Sequence, residues 1–258
     1  MTFKHITSRD NSLFKQLKKL ADSSRERRKL GQTLLDGVHL VEGYLGYFGE
    51  PELLVIPEGE SSNEATGLLQ TLVDVPTVMF PTLMFSELTP VASPTGILAL
   101  VKTPQLEIPQ SVDFALLLED IQDPGNLGSM LRTAAAAGVD AVYLSTGCTD
   151  AWSPKALRGG QGAHFVLPVV ERVELLAFMQ GFKGQTLATA MHGESLYAQD
   201  LRAPTAFLIG NEGTGLSEAL LQAANRRVHI PIAAGVESLN AAAASAICLF
   251  ERMRQKLG

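Results

Sequence analysis

At 258 residues, 46% hydrophobic and 19% charged, the chain has the size and apolar content of one large or two modest globular domains, which excludes disorder. Its longest uncharged apolar run, residues 241–250, is far shorter than the ~20 residues needed to span a bilayer. The polar, charged N-terminus from Met1 to Asp10 is no secretory leader, so a cytoplasmic protein without a membrane partner is expected. The net charge of −6 is unevenly spread: residues 1–30 hold nine Lys or Arg against three acids, a local +6, while the remaining 228 residues carry −12.

Over residues 12–29 the spacing of Leu13, Phe14, Leu17 and Leu20 predicts one amphipathic helix with its lysines on the far face. Such a basic face is either solvated or in contact with phosphate, and both can hold at once, because Coulomb attraction acts only within a screening length of ~8 Å. A strand at 33–35, a helix at 38–48 and strands at 53–56 and 96–101 complete a small α/β module over 1–105. Residues 103–110, with Pro104 and Pro109 and no clean period, form the linker.

From residue 113 the pattern alternates. Strands are expected at 114–118, 141–144, 165–170, 186–191, 206–209 and 228–232. Helices are expected at 127–137, from 153, at 174–179, at 218–224 and from 239. Alternating units of this kind predict a mostly parallel sheet with helices on both faces. Cys148 and Cys248 lack CxxC spacing and the five histidines are scattered, so neither a disulfide scaffold nor a metal site is expected.

Three segments fall where an apolar run ends and a helix begins, the edge at which open α/β sheets place ligands. In the first, Asp123-Pro124-Gly125-Asn126-Leu127-Gly128 makes a turn with Asn126 as the expected helix cap. Arg132 leans back over Gly128 and Ser129, free either to meet a ligand or to pair with Asp120 or Asp123. The second, Gly210-Asn211-Glu212-Gly213-Thr214-Gly215, precedes a helix capped by Ser217 with Leu216 and Leu221 as a hydrophobic staple. Its glycines lack GxGxxG spacing and no P-loop lysine follows, while Glu212 would repel an anion. The loop therefore suits a neutral or cationic ligand, or is an ordinary tight turn. In the third, Ser238 is the expected cap of the last helix, with the Asn240 amide pointing outward and Ala241 to Ala244 leaving room for close backbone approach.

Taken in order, Asn126 to Thr133, Gly210 to Ser217 and Ser238 to Asn240 resemble the three motifs of the SpoU/TrmH branch of the SPOUT superfamily, RNA 2′-O-ribose methyltransferases. The run Arg158-Gly159-Gly160-Gln161-Gly162-Ala163-His164-Phe165 is similar to the segment between the first two motifs, so the resemblance covers 113–258. A weaker likeness, in Leu35 to Gly43 and Thr95 to Ala99, is to the ribosomal-protein-like substrate-binding domain found N-terminally in many relatives.

The resemblance implies an α/β catalytic domain over 113–258 with a deep trefoil knot, preceded by a smaller α/β RNA-binding domain over 1–105. It implies S-adenosylmethionine as the methyl donor, held by backbone around Thr189, Gly210, Ile230 and Leu239. Asn126, Arg132, Glu212, Ser238 and Asn240 would then surround the reacting ribose, with Glu212 holding Arg132 or another polar group. It also implies a homodimer through the C-terminal domain, so that one site can draw on both chains. Arg132 has been proposed as a base in the family; a guanidinium stays protonated, so orientation of the hydroxyl and charge stabilisation fit it better. Many relatives continue Ser-Leu-Asn with a small aliphatic residue and a serine, where this chain has Ala241 and Ala242. Ribosomal RNA is favoured over transfer RNA as substrate. The competing readings are a non-catalytic RNA-binding homologue acting in ribosome assembly and a nucleotide-linked oxidoreductase, whose glycine fingerprint the chain lacks.

Overall fold

The serine at position 23 shapes the start of the fold. The helix expected over 12–29 is two helices, α1 (Ser12–Asp22) and α2 (Ser24–Leu30), because Ser23 adopts an extended conformation between them. Its side chain accepts from Glu26 N, which is the serine-to-glutamate spacing of a capping motif. Arg27 is buried on α2 and donates to the carbonyls of Leu20 and Ala21, satisfying acceptors that the end of α1 leaves open. The computed structural model describes residues 3–59, 61–89 and 96–258; Met1, Thr2 and Thr95 of the segments noted above lie outside them.

The chain divides into two compact units. The first comprises Met1–Pro104 and Trp152–Phe165, the second Gln105–Ala151 and Val166–Gly258.

The first unit is built on a sheet of β1 (Lys4–His5), β2 (Gln32–Asp36), β3 (Leu53–Pro57), β4 (Thr77–Phe80) and β5 (Leu98–Lys102), in the order β1-β4-β3-β5-β2. β1, β4 and β3 run parallel, and β5 is antiparallel to both β3 and β2. Phe14, Leu17 and Leu20 of α1 pack with Leu34, Val55, Phe80 and Leu98 of the strands. Helix α3 (Val38–Phe48) occupies the expected residues; α4 (Asn63–Thr71), β4 and α5 (Thr82–Ser86) lie outside the expected elements, although Ala65, Leu68 and Leu69 carry the i, i+3, i+4 spacing of a helix. The segment 152–165 carries α7 (Pro154–Gly160), capped by Ser153, and a 3-10 turn at Ala163–Phe165. Thr33 Oγ1 donates to Trp152 O at 2.7 Å, and the Phe165 ring meets Tyr44 and Phe48 edge-on. The strand expected at 165–170 is thereby cut to β8 (Val169–Val170).

The second unit is a six-stranded sheet of β6 (Phe114–Leu118), β7 (Ala141–Leu144), β8, β9 (Gln185–Ser195), β10 (Thr205–Ile209) and β11 (Arg226–His229), ordered β11-β9-β10-β6-β7-β8. Every pairing in it is parallel, as the alternating pattern required. Helices α6 (Pro124–Ala136), α8 (Leu175–Gly181), α9 (Glu218–Ala223) and α10 (Ala241–Leu257) complete it. Leu175 and Met179 of α8 and Leu220 of α9 close over Leu117, Tyr143 and Leu208, and Leu216 and Leu221 join the same cluster, as the staple spacing predicts. α10 packs against α6 and β10, and Ala242, Ser245, Cys248 and Leu249 are among its buried residues. Strand β11 ends earlier than expected, so Ile230 lies just beyond it. Between Arg227, which faces Ala188, and Val228, which faces Glu194, the register slips, and residues 189–193 of β9 leave the ladder.

Candidate active site

Parallel strands present all their C-terminal ends on one edge, and three loops leave that edge in the second unit. The first, residues 119–123, joins β6 to α6. Pro124 occupies the first helical turn, and Asp123, not Asn126, is the cap: its carboxylate accepts from Asn126 N at 2.8 Å. Asn126 therefore sits one turn further in, with its side chain released from capping.

The second loop, residues 210–217, joins β10 to α9 and folds tightly back on itself. Asn211 and Gly215 exchange backbone hydrogen bonds, and Asn211 Oδ1 accepts from Gly213 N and Thr214 N. A Cβ on Gly210 would lie 2.2 Å from Gly215 C and 2.3 Å from Leu216 N, so only glycine permits this closure. Ser217 caps α9, as its position predicts.

The third loop joins β11 to α10, and residues 231–240 are all exposed. Here the cap is Asn240, whose Oδ1 accepts from Ala242 N and Ala243 N; Ser238, expected in that role, makes no hydrogen bond among the described residues.

These loops are tied together by side chains. Asn240 Nδ2 donates to Asn126 Oδ1 at 3.1 Å, and Asn126 Nδ2 donates to Glu212 Oε1 at 3.1 Å. The Glu212 carboxylate also accepts from Gln122 N at 3.2 Å and Asp123 N at 3.3 Å. Burial alone would raise the Glu212 carboxyl, but its own amide, the Asn126 side chain and the amides of Gln122 and Asp123 outweigh this and hold it below the usual glutamate range. Two further links join the first and second loops: Asn211 Nδ2 to Asp120 O at 2.8 Å and Ser217 N to Glu119 Oε2 at 2.7 Å. Sequence reasoning missed Glu119, Asp120, Gln122 and Asn211, since polar residues in a turn carry no mark of a partner ninety residues away.

Arg132 lies six residues along α6 from Asn126, about 9 Å at the helical rise. It is exposed and makes no hydrogen bond or ion pair among the described residues. Glu212 does not hold it, and neither Asp120 nor Asp123 pairs with it; the polar partner of Glu212 is Asn126.

Of the residues expected at the cofactor, Thr189 follows the shared β9 ladder and donates from Oγ1 to Leu208 O at 2.9 Å; Gly210 follows β10 and Ile230 follows β11. Gly210 and Ile230 directly follow β10 and β11, and Thr189 directly follows the last β9 residue paired with β10, in three neighbouring strands ordered β11-β9-β10. Met191, in the stretch of β9 that leaves the ladder, and Ile232, Val236 and Leu239, after β11, are all exposed. Exposed apolar side chains in the segments around these strand ends can cover an adenosyl and a methionyl group, so the residues fit S-adenosylmethionine in kind. Among the described residues no three His, Cys, Asp or Glu group as metal ligands, and no helix is long and apolar enough to cross a membrane.

Comparison with known proteins identifies the family. Residues 113–250 match the model of the SpoU rRNA Methylase family, and the chain belongs to that family. It is 36% identical over 252 residues to the 23S rRNA (guanosine(2553)-2′-O)-methyltransferase RlmP of Bacillus subtilis, covering 96% of this chain and 98% of that one. It is 34% identical over 269 residues to an uncharacterized tRNA/rRNA methyltransferase of Synechocystis, covering 97% and 94%. Among solved structures it resembles the SpoU methyltransferase AviRb from Streptomyces viridochromogenes in complex with AdoMet, with a TM-score of 0.81, 28% identity and coverage of 96% and 99%. The expected family and the α/β class are both borne out.

Proposed function

We propose that the chain is an S-adenosylmethionine-dependent methyltransferase acting on a ribose 2′-hydroxyl of large-subunit ribosomal RNA. The observation that carries this reading is the hydrogen-bonded run from Asn240 through Asn126 to Glu212, which draws the three motif loops into one polar site at the sheet edge. The Bacillus and Streptomyces relatives, named for 23S rRNA and for a SpoU fold with AdoMet, support the substrate and the cofactor.

When bound, the cofactor supplies a methyl group made electrophilic by its sulfonium. The chain's part is to hold the acceptor oxygen in line and stabilise the charge that grows on it. Asn126 and Asn240 position the ribose through their amides, with Ser238 on the approach to them. Glu212, held ionised by its donors, fixes the direction in which the Asn126 amide points. Arg132 orients the hydroxyl and stabilises the developing alkoxide; its guanidinium keeps its proton and is no base. Thr189, Gly210, Ile230 and Leu239 line the cofactor with backbone groups.

Arg132 has no partner in its own chain among the described residues, and Met191, Val236 and Phe250 leave apolar side chains exposed on the same unit. Both features support a homodimer through the second unit, in which Arg132 completes the site of the other copy. The same reading carries the family's trefoil knot, a cytoplasmic location and RNA docking by the first unit.

Two measurements test the proposal. Ribose methylation mapped across ribosomal and transfer RNA from cells with and without the protein should differ at a position in large-subunit RNA; a change confined to transfer RNA would overturn the substrate. Calorimetry should detect S-adenosylmethionine binding, and its absence at millimolar cofactor would leave a non-catalytic RNA-binding protein.

A further inference from the structure

Asp120 is one of three non-glycine residues described with a left-handed backbone, at φ 54°. Such a conformation costs an L residue, and it persists where surrounding contacts hold it. Those contacts come from three loops. Asp120 N donates to Ser145 Oγ at 2.9 Å, and the same hydroxyl donates back to Asp120 Oδ1 at 2.6 Å. Asp120 O accepts from Asn211 Nδ2 at 2.8 Å and from Gln122 Nε2 at 3.0 Å, and Gln122 Nε2 also reaches Gly147 O. The fit is close enough that a Cβ on Gly147 would lie 2.1 Å from Asp120 Oδ1. Two and three residues beyond this reversal, Gln122 N and Asp123 N point at the Glu212 carboxylate.

We propose that Asp120 is a positioning residue: its left-handed turn, pinned by Ser145 and Asn211, holds two backbone amides on Glu212 and thereby sets the Glu212, Asn126 and Asn240 run. The inference rests on the reading of that run as the ribose site, but the position of the amides does not depend on it. What matters is the backbone conformation rather than the charge at 120. Asparagine and glycine enter the left-handed region readily, and a β-branched residue does not.

The test uses the full-length protein and two readouts. Carbon-detected NMR titration of Glu212 reports the amides directly, with no RNA present. Asp120→Asn and Asp120→Gly should leave the Glu212 pKa where the parent has it, and Asp120→Val should raise it toward 4.5, the ordinary value. Methyl transfer to deproteinised large-subunit RNA should follow the same order. kcat for Asp120→Val should fall about tenfold or more, with S-adenosylmethionine affinity unchanged by calorimetry. Ser145→Ala, which removes the pin and leaves Asp120 in place, should move both readouts in the same direction by less, and it serves if the valine variant does not fold. An unshifted Glu212 pKa in the valine and alanine variants would overturn the proposal, as would glycine and asparagine variants as impaired as valine. A parent protein that methylates no RNA would instead defeat the functional reading, leaving the NMR result to decide the role of Asp120.

Discussion

The Asn240 side chain is bound at both ends: Oδ1 accepts from Ala242 N and Ala243 N, while Nδ2 donates to Asn126 Oδ1 at 3.1 Å across 114 residues of sequence. The helix amides can only donate, so the oxygen must face them and the nitrogen must face Asn126. That in turn points the Asn126 oxygen at Asn240 and its nitrogen at Glu212, which must accept. The polarity of the site is thus set by the cap of α10 and relayed to the carboxylate.

Asn240→Asp separates the two duties. An aspartate caps as well as asparagine, so the unfolding midpoint should change little, but it presents an acceptor to Asn126 Oδ1 and breaks the relay. Methyl transfer should fall about tenfold or more, whereas Asn240→Ala should lose activity and also about 1 kcal/mol of stability. An aspartate variant with parental kcat would refute the relay.

Arg132 is exposed and without a partner in its chain among the described residues, so Arg132→Ala should leave stability within about 0.5 kcal/mol. It should abolish methyl transfer with cofactor affinity changed only a few-fold, and Arg132→Lys should rescue poorly because an ammonium lacks the planar donor fork. Normal turnover by the alanine variant would remove Arg132 from the site.

Gly210→Ala drives a methyl group onto backbone atoms 2.2 and 2.3 Å away and should cost about 3 kcal/mol in urea unfolding. Gly213→Ala, whose nearest neighbour would be Asn211 Oδ1 at 3.5 Å, should cost far less. Equal losses would show that the loop yields where the geometry says it cannot.

In the first unit, burial raises the Asp36 carboxyl above its ordinary 3.8, with the Thr89 hydroxyl and Arg158 opposing, and Oδ1 finds no hydrogen-bond partner among the described residues. A folded pKa above the unfolded value means the native state binds the proton more tightly. Stability is then greatest below 3.8 and declines as pH rises from there through the folded value. Asp36→Asn removes that decline, so its unfolding midpoint should exceed the parent's at pH 7 and converge with it below 3.8. A variant less stable at neutral pH would mean the contact with Arg158 outweighs burial.

The basic N-terminal segment is partly spent on itself. Lys15 pairs with Asp10 at 2.8 Å, Lys18 with Asp22 at 3.0 Å and Arg9 with Glu87 at 2.7 Å, whereas Arg25, Arg28 and Lys29 on α2 make no ion pair among the described residues. Replacing those three with glutamine should weaken binding to ribosomal RNA. The slope of log affinity against log salt should become shallower by about 0.7 to 0.9 for each phosphate no longer neutralised. Replacing Lys15 and Lys18 should do less. If neither set changes binding, the segment is a solvated face.

Sequence alone determined whatever rests on local pattern. The period of apolar residues located α3, β6, β7 and β10 with little error, alternation along 113–258 required the parallel sheet, and the motifs identified the family. Only the tertiary structure decided which side chains meet. It split residues 12–29 at Ser23, moved the helix caps from Asn126 to Asp123 and from Ser238 to Asn240, and placed Trp152–Phe165 in the first unit. It also gave Glu212 to Asn126 rather than to Arg132. Caps compete over neighbouring polar residues of nearly equal propensity, and a partner 86 or 114 residues away leaves no local trace, so packing chooses among them.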